Sequence, residues 1–256
     1  MEARAISEQV NFFLGELIQR SSKQDIISPK VFLGLYSYSG AGINWAAPEL
    51  RPNSEGLVSI SDVGDISEES LLEEIETYVP LVVPAQAFGN APIVPALEKA
   101  REIAECFAIS HPNSHPPVVI NITSGDFGHV VERDFLTACF DITKVSTSDG
   151  PSIMIHCKIN SQSKTSTLFP TSPEGLDTTS NLLFQASSLV VPIAAVTHLE
   201  FMGLDVGPYP RFFLENNQLE AMMILLKTIF WPDYLEEFDY AYMKRLDERN
   251  TKDIPY

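Results

Sequence analysis

Along the chain the spacing of apolar positions changes period several times, and each change predicts an element. Val10, Phe13, Leu14, Leu17 and Ile18 recur at the three-and-four spacing of one helix face, so an amphipathic helix is expected over residues 4–22, with a stripe that needs a sheet to cover it. Val31 to Tyr38 alternates loosely and stops at Ser39-Gly40-Ala41-Gly42, which reads as a strand and a turn. Ile43 to Ala47 and Leu57 to Ile60 read as shorter strands around a Pro, Asn and Gly loop, placed to make an edge hairpin. Asp62 to Glu76 holds seven acidic residues, and Ser70 with Glu73 has the spacing of a capping box at the start of a short helix. A solvated helical face is the plain reading of that segment, and an acidic docking surface is the functional one. Tyr78 to Val83 reads as a strand. Phe88 to Pro92 then turns the chain into a long helix, with Pro92 suited to its first turn and Leu97, Ala100, Ile103, Ala104 and Phe107 on its buried side.

The most informative stretch follows. Pro116-Pro117 introduce five β-branched and apolar-rich residues, Val118 to Ile122, and the run ends at Thr123-Ser124-Gly125-Asp126. Such a run is a parallel strand buried on both faces, delivering a polar turn to the C-terminal edge of a sheet, where open α/β sheets bind their ligands. Val131, Phe135, Ala138, Cys139 and Ile142 mark a helix that crosses back, and Ser152 to Ile159 is the next strand after a connection long enough for a right-handed parallel crossover. Residues 161–180 read as a structured loop anchored by Leu168 and Phe169, Thr179 to Ser188 as a helix, Val206 to Leu214 as including a short last strand, and Gln218 to Phe230 as an apolar terminal helix. The expected fold is therefore α/β, a doubly wound and mostly parallel sheet flanked by helices over residues 1–230. An aromatic and charged tail, 231–256, wraps the domain or contacts another protein.

Charge narrows the partners. Lys plus Arg number 17 against 34 Asp plus Glu, a net charge of −17 that repels nucleic acid and anionic membranes. The longest apolar stretches, such as Ser188 to Thr197, fall short of the roughly 20 residues needed to span a bilayer. The opening MEARAISEQV has no apolar core of a signal peptide, so a cytoplasmic protein is expected. Cys106, Cys139 and Cys157 lie in apolar patterns without CxxC spacing and read as buried free thiols.

Few chemistries survive inspection of the motifs. There is no GxSxG elbow, and the hydroxyls of Ser37-Tyr38-Ser39-Gly40 and Thr123-Ser124-Gly125 lack the flanking glycines that a strained nucleophile turn needs. His156 and Cys157 are adjacent on a strand and so face opposite ways, which excludes a dyad between them. His129, just after the polar turn, reads as a surface or hydrogen-bonded histidine before a functional one. GxGxxG and GxxxxGK[ST] are absent, and the five His and three Cys are too scattered for zinc. A hard cation has Thr123, Ser124 and Asp126 to turn to, with a single acid among them.

The order of helix SEQVNFFLGELIQR, strand VFLGLYSY, turn FGNAPIVPALEKAREI, strand HPPVVINITSGD, strand PSIMIHCKIN and loop LFPTSPEGL resembles bacterial von Willebrand factor A domain proteins. The likeness is to the stand-alone cytoplasmic type associated with tellurium-resistance-like and phosphatase and kinase gene clusters. It covers residues 4–230, with HPPVVINIT its most specific segment. The resemblance implies a Mg²⁺ site built on three loops, and this sequence departs at each. Gly89-Asn90-Ala91-Pro92 has Ala91 where a ligating Thr is expected, and Ile122-Thr123-Ser124-Gly125 has Ser124 in place of an Asp. The Asp-x-Ser-x-Ser signature is absent, and the strand expected to carry it would lie before Met1. Ala91 cannot coordinate and Ser124 offers only a neutral oxygen, while Asp126 substitutes only if the turn rearranges; a metal-free site is expected, with Mg²⁺ disfavoured. The degenerate surface comprises Ser39, Asn90, Ala91, Thr123, Ser124 and Asp126. Loss of a central strand would expose apolar edges between 31–38 and 117–123, so those strands are expected to pair directly or to be joined by another segment of this chain.

Taken with the resemblance, these residues lead to the expectation of a non-enzymatic protein-interaction module, a scaffold or adaptor in a bacterial stress or defence complex with phosphatase- or kinase-type partners. Two alternatives stand beside it. One is a hydrolase or transferase using Ser124, Asp126 and His129 with Ser39 opposite. The other is a structural subunit that self-assembles through 62–76 and 231–256.

Overall fold

The two longest apolar runs of strand character find each other. In the computed structural model, Val118–Thr123 and Ile153–Lys158 pair in parallel, from Val118 opposite Ile153 to Thr123 opposite Lys158. The structure describes residues 2–23, 26–27, 31–71, 83, 91–125, 130–159, 166–190, 196, 199–200 and 203–216. In chain order the elements are α1 (Glu2–Ser21), β1 (Ser22–Lys23), β2 (Ile26–Ile27), β3 (Phe32–Leu33), β4 (Tyr36–Ser39), β5 (Gly42–Trp45), β6 (Val58–Ser59), α2 (Ile60–Leu71) and α3 (Ile93–Ser110). They continue with β7 (Val118–Thr123), α4 (Glu132–Lys144), β8 (Ser146–Thr147), β9 (Gly150–Pro151), β10 (Ile153–Lys158), β11 (Thr167–Leu168), α5 (Thr178–Ala186) and β12 (Phe213–Glu215).

The main sheet runs in the order β11-β12-β10-β7. β10 is flanked in parallel by β7 and β12, and β11 closes the far side antiparallel to β12. Because side chains alternate along a strand, the sheet has two distinct faces. Val118, Ile120, Ile122, Ile153, Ile155, Cys157 and Leu214 turn toward Phe13, Leu14 and Leu17 of α1 and Ile60 and Val63 of α2. Val119, Met154 and Phe213 turn toward Ile93 and Leu97 of α3, Phe135, Cys139 and Ile142 of α4, and Leu183 and Phe184 of α5. The molecule is thus mixed α/β with a mostly parallel sheet flanked by helices. His156 joins the α4 side and Cys157 the α1 side, on opposite faces as their adjacency requires.

α1 carries a polar residue inside its apolar stripe for an identifiable reason. Asn11 is 2% exposed; its Oδ1 accepts from the Val83 N–H at 2.8 Å and its Nδ2 donates to the Val83 carbonyl at 2.9 Å. The side-chain amide thereby serves the backbone of Val83 as a neighbouring strand would.

Several expectations need correction. Val31 to Tyr38 is not one strand and does not join the main sheet among the described residues; it divides into β3 and β4. The break falls at Gly34, where a Cβ would sit 3.3 Å from Leu57 Cδ2. β4 finds its partner across the two-residue Gly40-Ala41 turn in β5, and β3 pairs with β6, so short-range antiparallel pairing takes the backbone groups that 117–123 was expected to share. The acidic helix begins at Ile60, ten residues before the expected cap. Ile60 and Val63 are fully buried, Ser59 Oγ accepts from Ser61 N, and Ser70 falls in the last turn. Cys106 is exposed on the outer side of α3, whereas Cys139 and Cys157 are buried; all three are free. Val131 precedes α4 and is 59% exposed, so it does not share that helix's buried face. The strand expected at 78–83 apart from Val83, residues 88–90, 126–129 and 160–165, the helix at 218–230 and the tail 231–256 lie outside the described residues. Among those described, no helix is long and apolar enough to cross a membrane.

The Val83 clamp is testable. Asn11→Ala leaves the Val83 N–H without its partner, while the Val83 carbonyl keeps the Ser7 hydroxyl, and is expected to lower unfolding free energy by about 1–3 kcal/mol in urea titrations. An unchanged midpoint would show that Asn11 does not hold Val83.

Candidate functional site

On the face turned to α3, α4 and α5, the parallel strands carry a cluster of polar side chains in two rungs set by the pairing register. Asn121 lies opposite His156, and Thr123 lies opposite Lys158, which lies opposite Glu215 on its other side. Asn121, Thr123, His156 and Lys158 are all buried. The inner rung is neutral and the outer one is charged.

In the inner rung the Tyr38 hydroxyl donates to Asn121 Oδ1 at 2.6 Å. The Asn121 amide nitrogen is left to donate to His156 Nδ1 at 3.0 Å. The ring proton is then on Nε2, 3.6 Å from Cys139 Sγ. Burial lowers the His156 pKa from 6.5 to about 3, and raises the Cys139 thiol to about 12. Burial likewise pushes the Tyr38 hydroxyl up to about 12, against the opposing pull of hydrogen bonds with Thr123 and Asn121. Every member of this chain is uncharged at neutral pH, and it ties β4 to β7, β10 and α4. It offers no nucleophile: the thiol is protonated and shielded.

The outer rung lies at the C-terminal edge of the sheet. The side chain of Lys158 is 5% exposed and its ammonium reaches Asp177 Oδ2 at 2.5 Å, Ser180 Oγ at 2.7 Å and Glu215 Oε1 at 3.1 Å. Of the three hydrogens an ammonium can donate, one goes to Asp177 and one to Ser180, while Glu215 pairs with it by charge. Ser180 Oγ in turn donates to Glu215 Oε1 at 2.9 Å, and Ser180 N donates to Asp177 Oδ1 at 2.7 Å, which caps α5. Burial by itself would raise the Asp177 pKa, but hydrogen bonds from Lys158 and Ser180 and the Lys158 charge outweigh it and hold the carboxyl below its ordinary value.

The turn after β7 is seated directly on this lysine. Gly125 has φ +84°, and a Cβ there would stand 2.7 Å from Lys158 Cε. Its N–H donates to Thr123 Oγ1 at 3.1 Å, closing the turn on its own strand. Only glycine combines that backbone angle with so close an approach. Ser124 is left exposed on top of the turn.

Of the residues singled out in the sequence, Thr123 and Ser124 share this turn, and Thr123 is hydrogen-bonded to Tyr38, the neighbour of Ser39. Ser39 is half-buried at the end of β4 and its Oγ accepts from Ala41 N at 3.2 Å. Ala91 precedes α3, its carbonyl accepting from Ile93 N. Asn90, Asp126 and His129 lie outside the described residues. Ala91, Thr123 and Ser124 present a methyl group and two neutral hydroxyls, a set that does not fit a hard dication. No group of three or more His, Cys, Asp or Glu able to hold a metal occurs among the described residues.

Lys158, Glu215, Asp177, Ser180, Asn121 and Tyr38 were not picked out by the sequence reading. A signal for some of them exists: Asn121 and Thr123 in VVINIT, and His156 and Lys158 in IMIHCK, are polar residues two apart in otherwise apolar parallel strands. Two such pairs in neighbouring strands must meet when the strands pair in register.

Two measurements check this account. Lys158→Met removes the cation from between two carboxylates and is expected to cost about 3–5 kcal/mol in urea unfolding, with Lys158→Met/Glu215→Leu recovering most of that loss. A single variant as stable as the parent would refute the network. For His156 the folded value lies below the unfolded one, so the unfolded chain takes up a proton that the folded chain refuses. Its contribution is full above pH 6.5 and falls by about 1.4 kcal/mol per pH unit as pH drops toward 3. Unfolding free energy measured from pH 7 to 4.5 should decline with one fewer linked proton in His156→Gln; identical slopes would contradict a neutral buried ring.

No protein-family model, curated protein or solved structure matches the chain.

Proposed function

We propose that the chain is a von Willebrand A-like protein-interaction module, non-enzymatic and metal-independent, that presents the turn at the C-terminal edge of its sheet to a protein partner. The observation that carries this reading is the Lys158 ammonium, buried between two carboxylates. Asp177 and Glu215 already share a cation that belongs to the chain, and a divalent ion entering there would meet a positive charge about 3 Å away, a repulsion that a partly buried site does little to screen. An amine kept as an ammonium between two carboxylates also has no lone pair to offer as nucleophile or base. What the edge offers outward is a turn closed by the Gly125 N–H on Thr123 Oγ1, with an exposed serine.

The resemblance extends the proposal to a bacterial cytoplasmic scaffold or adaptor with phosphatase- or kinase-type partners.

The test is affinity purification of the tagged full chain from cells that carry its gene, in parallel with Ser124→Arg. A specific protein should be recovered with the parent and reduced at least about tenfold with the variant, a loss of about 1.4 kcal/mol or more, while the thermal midpoint stays the same. Equal recovery with both would overturn the assignment of this surface.

A further inference from the structure

We propose that the outer edge of β7 accepts an extended segment of a partner protein as an added β-strand. This inference rests on the backbone of β7 and stands apart from the reading of Lys158.

Register shows which backbone groups are free to take it. Ile153 N donates to Pro117 O and Ile159 N donates to Thr123 O. Pro117 through its C=O, and Val119, Asn121 and Thr123 through both N–H and C=O, therefore face β10, and Val118, Ile120 and Ile122 direct theirs away from it. Among the described residues β7 is the last strand on that side, and no backbone hydrogen bond reaches those three residues from beyond it. Three N–H and three C=O groups at two-residue intervals, about 6.6 Å apart, match the backbone of an extended strand and little else.

The composition of β7 belongs to the middle of a sheet. Sheet edges are ordinarily protected by a charge, a proline or a bulge. Val118–Thr123 has no charge and no proline, and its six residues pair with β10 without interruption. Met154 to Lys158 of β10 are buried throughout, whereas Val118, Val119, Ile120 and Ile122 are only half-buried. β4 is joined to β7 through side chains, the Tyr38 hydroxyl donating to Asn121 Oδ1. No backbone pairing links the two strands among the described residues. On the other face Leu33 and Leu35 belong to the apolar cluster that includes Val118, Ile120 and Ile122.

These surroundings state the chemistry of the occupant. Alternate side chains should be apolar, to join Ile120, Ile122, Leu33 and Leu35, and the intervening ones small or hydroxylic, to lie beside Asn121 and the Tyr38 phenol. The segment should be neutral or basic, because the chain carries −17. The same charge disfavours a second copy, which would bring two strongly acidic surfaces together across a six-residue strand.

Amide exchange followed residue by residue by NMR on the full chain tests the proposal. In the free protein the amides of Val118, Ile120 and Ile122 should exchange at least about 100-fold faster than those of Val119, Asn121 and Thr123, which donate to β10. The probe is an acetylated and amidated synthetic peptide of alternating valine and threonine with a lysine at each end. It should slow the three fast amides at least about tenfold, saturably, and Ile120→Pro, which removes one outward N–H, should abolish the effect while β10 stays protected. Equal protection of all six β7 amides in the free protein would overturn the proposal, since a segment of this chain or a second copy would then occupy the edge. Unchanged exchange at saturating peptide would overturn it as well, and both comparisons need only the parent protein if the proline variant fails to fold.

Discussion

The ammonium of Lys158, held between Asp177, Ser180 and Glu215, is the interaction on which the rest of the sheet edge depends. Lys158 ends the central strand, Glu215 ends the next one, Asp177 and Ser180 form the first turn of α5, and Gly125 lies on the lysine stem. One buried charge thus fixes the relative positions of two strands, a helix start and a turn. A buried ion pair is seldom a large net gain in stability, because desolvation offsets most of the attraction. Its contribution here is geometric: removing Lys158 leaves Glu215, 12% exposed, without its cation, and removing Glu215 leaves the buried ammonium with only the exposed Asp177 carboxylate.

The neutral inner rung complements it. A second charge beside Lys158 at His156 would add repulsion inside the core, and burial prevents it by keeping that ring unprotonated down to about pH 3. The Tyr38–Asn121–His156–Cys139 chain therefore satisfies polar groups without adding charge, and carries β4 into contact with a sheet it does not join. Both rungs lie on one face because strand side chains alternate, and the opposite face is left wholly apolar for α1 and α2.

Much of the architecture was legible in the sequence. The helical stripe at Val10 to Ile18, the parallel strands at 118–123 and 153–158, and the helix between them follow from hydrophobic period alone. The short last strand near Leu214 was legible as well, though its pairing was not. Legibility failed where local and long-range pairing compete. Val31 to Tyr38 alternates like a sheet strand, yet the Gly40-Ala41 turn offers β4 a nearer partner. Of the site, the turn Thr123-Ser124-Gly125 was visible because polar residues interrupt an apolar run, but the lysine beneath it was not. A single Lys in a strand reads as an end residue until register places Glu215 and Thr123 on either side of it. Asp177 comes from a segment that sequence describes as a loop, and Ser180 from the start of an expected helix whose cap is not evident.

Lys158 is proposed to supply the cation of this sheet edge in place of a metal. Calorimetric titration of Mg²⁺ into the full chain addresses that claim most directly. The account predicts no saturable heat and no change in thermal midpoint, whereas saturable micromolar binding that disappears in Ser124→Ala would contradict it.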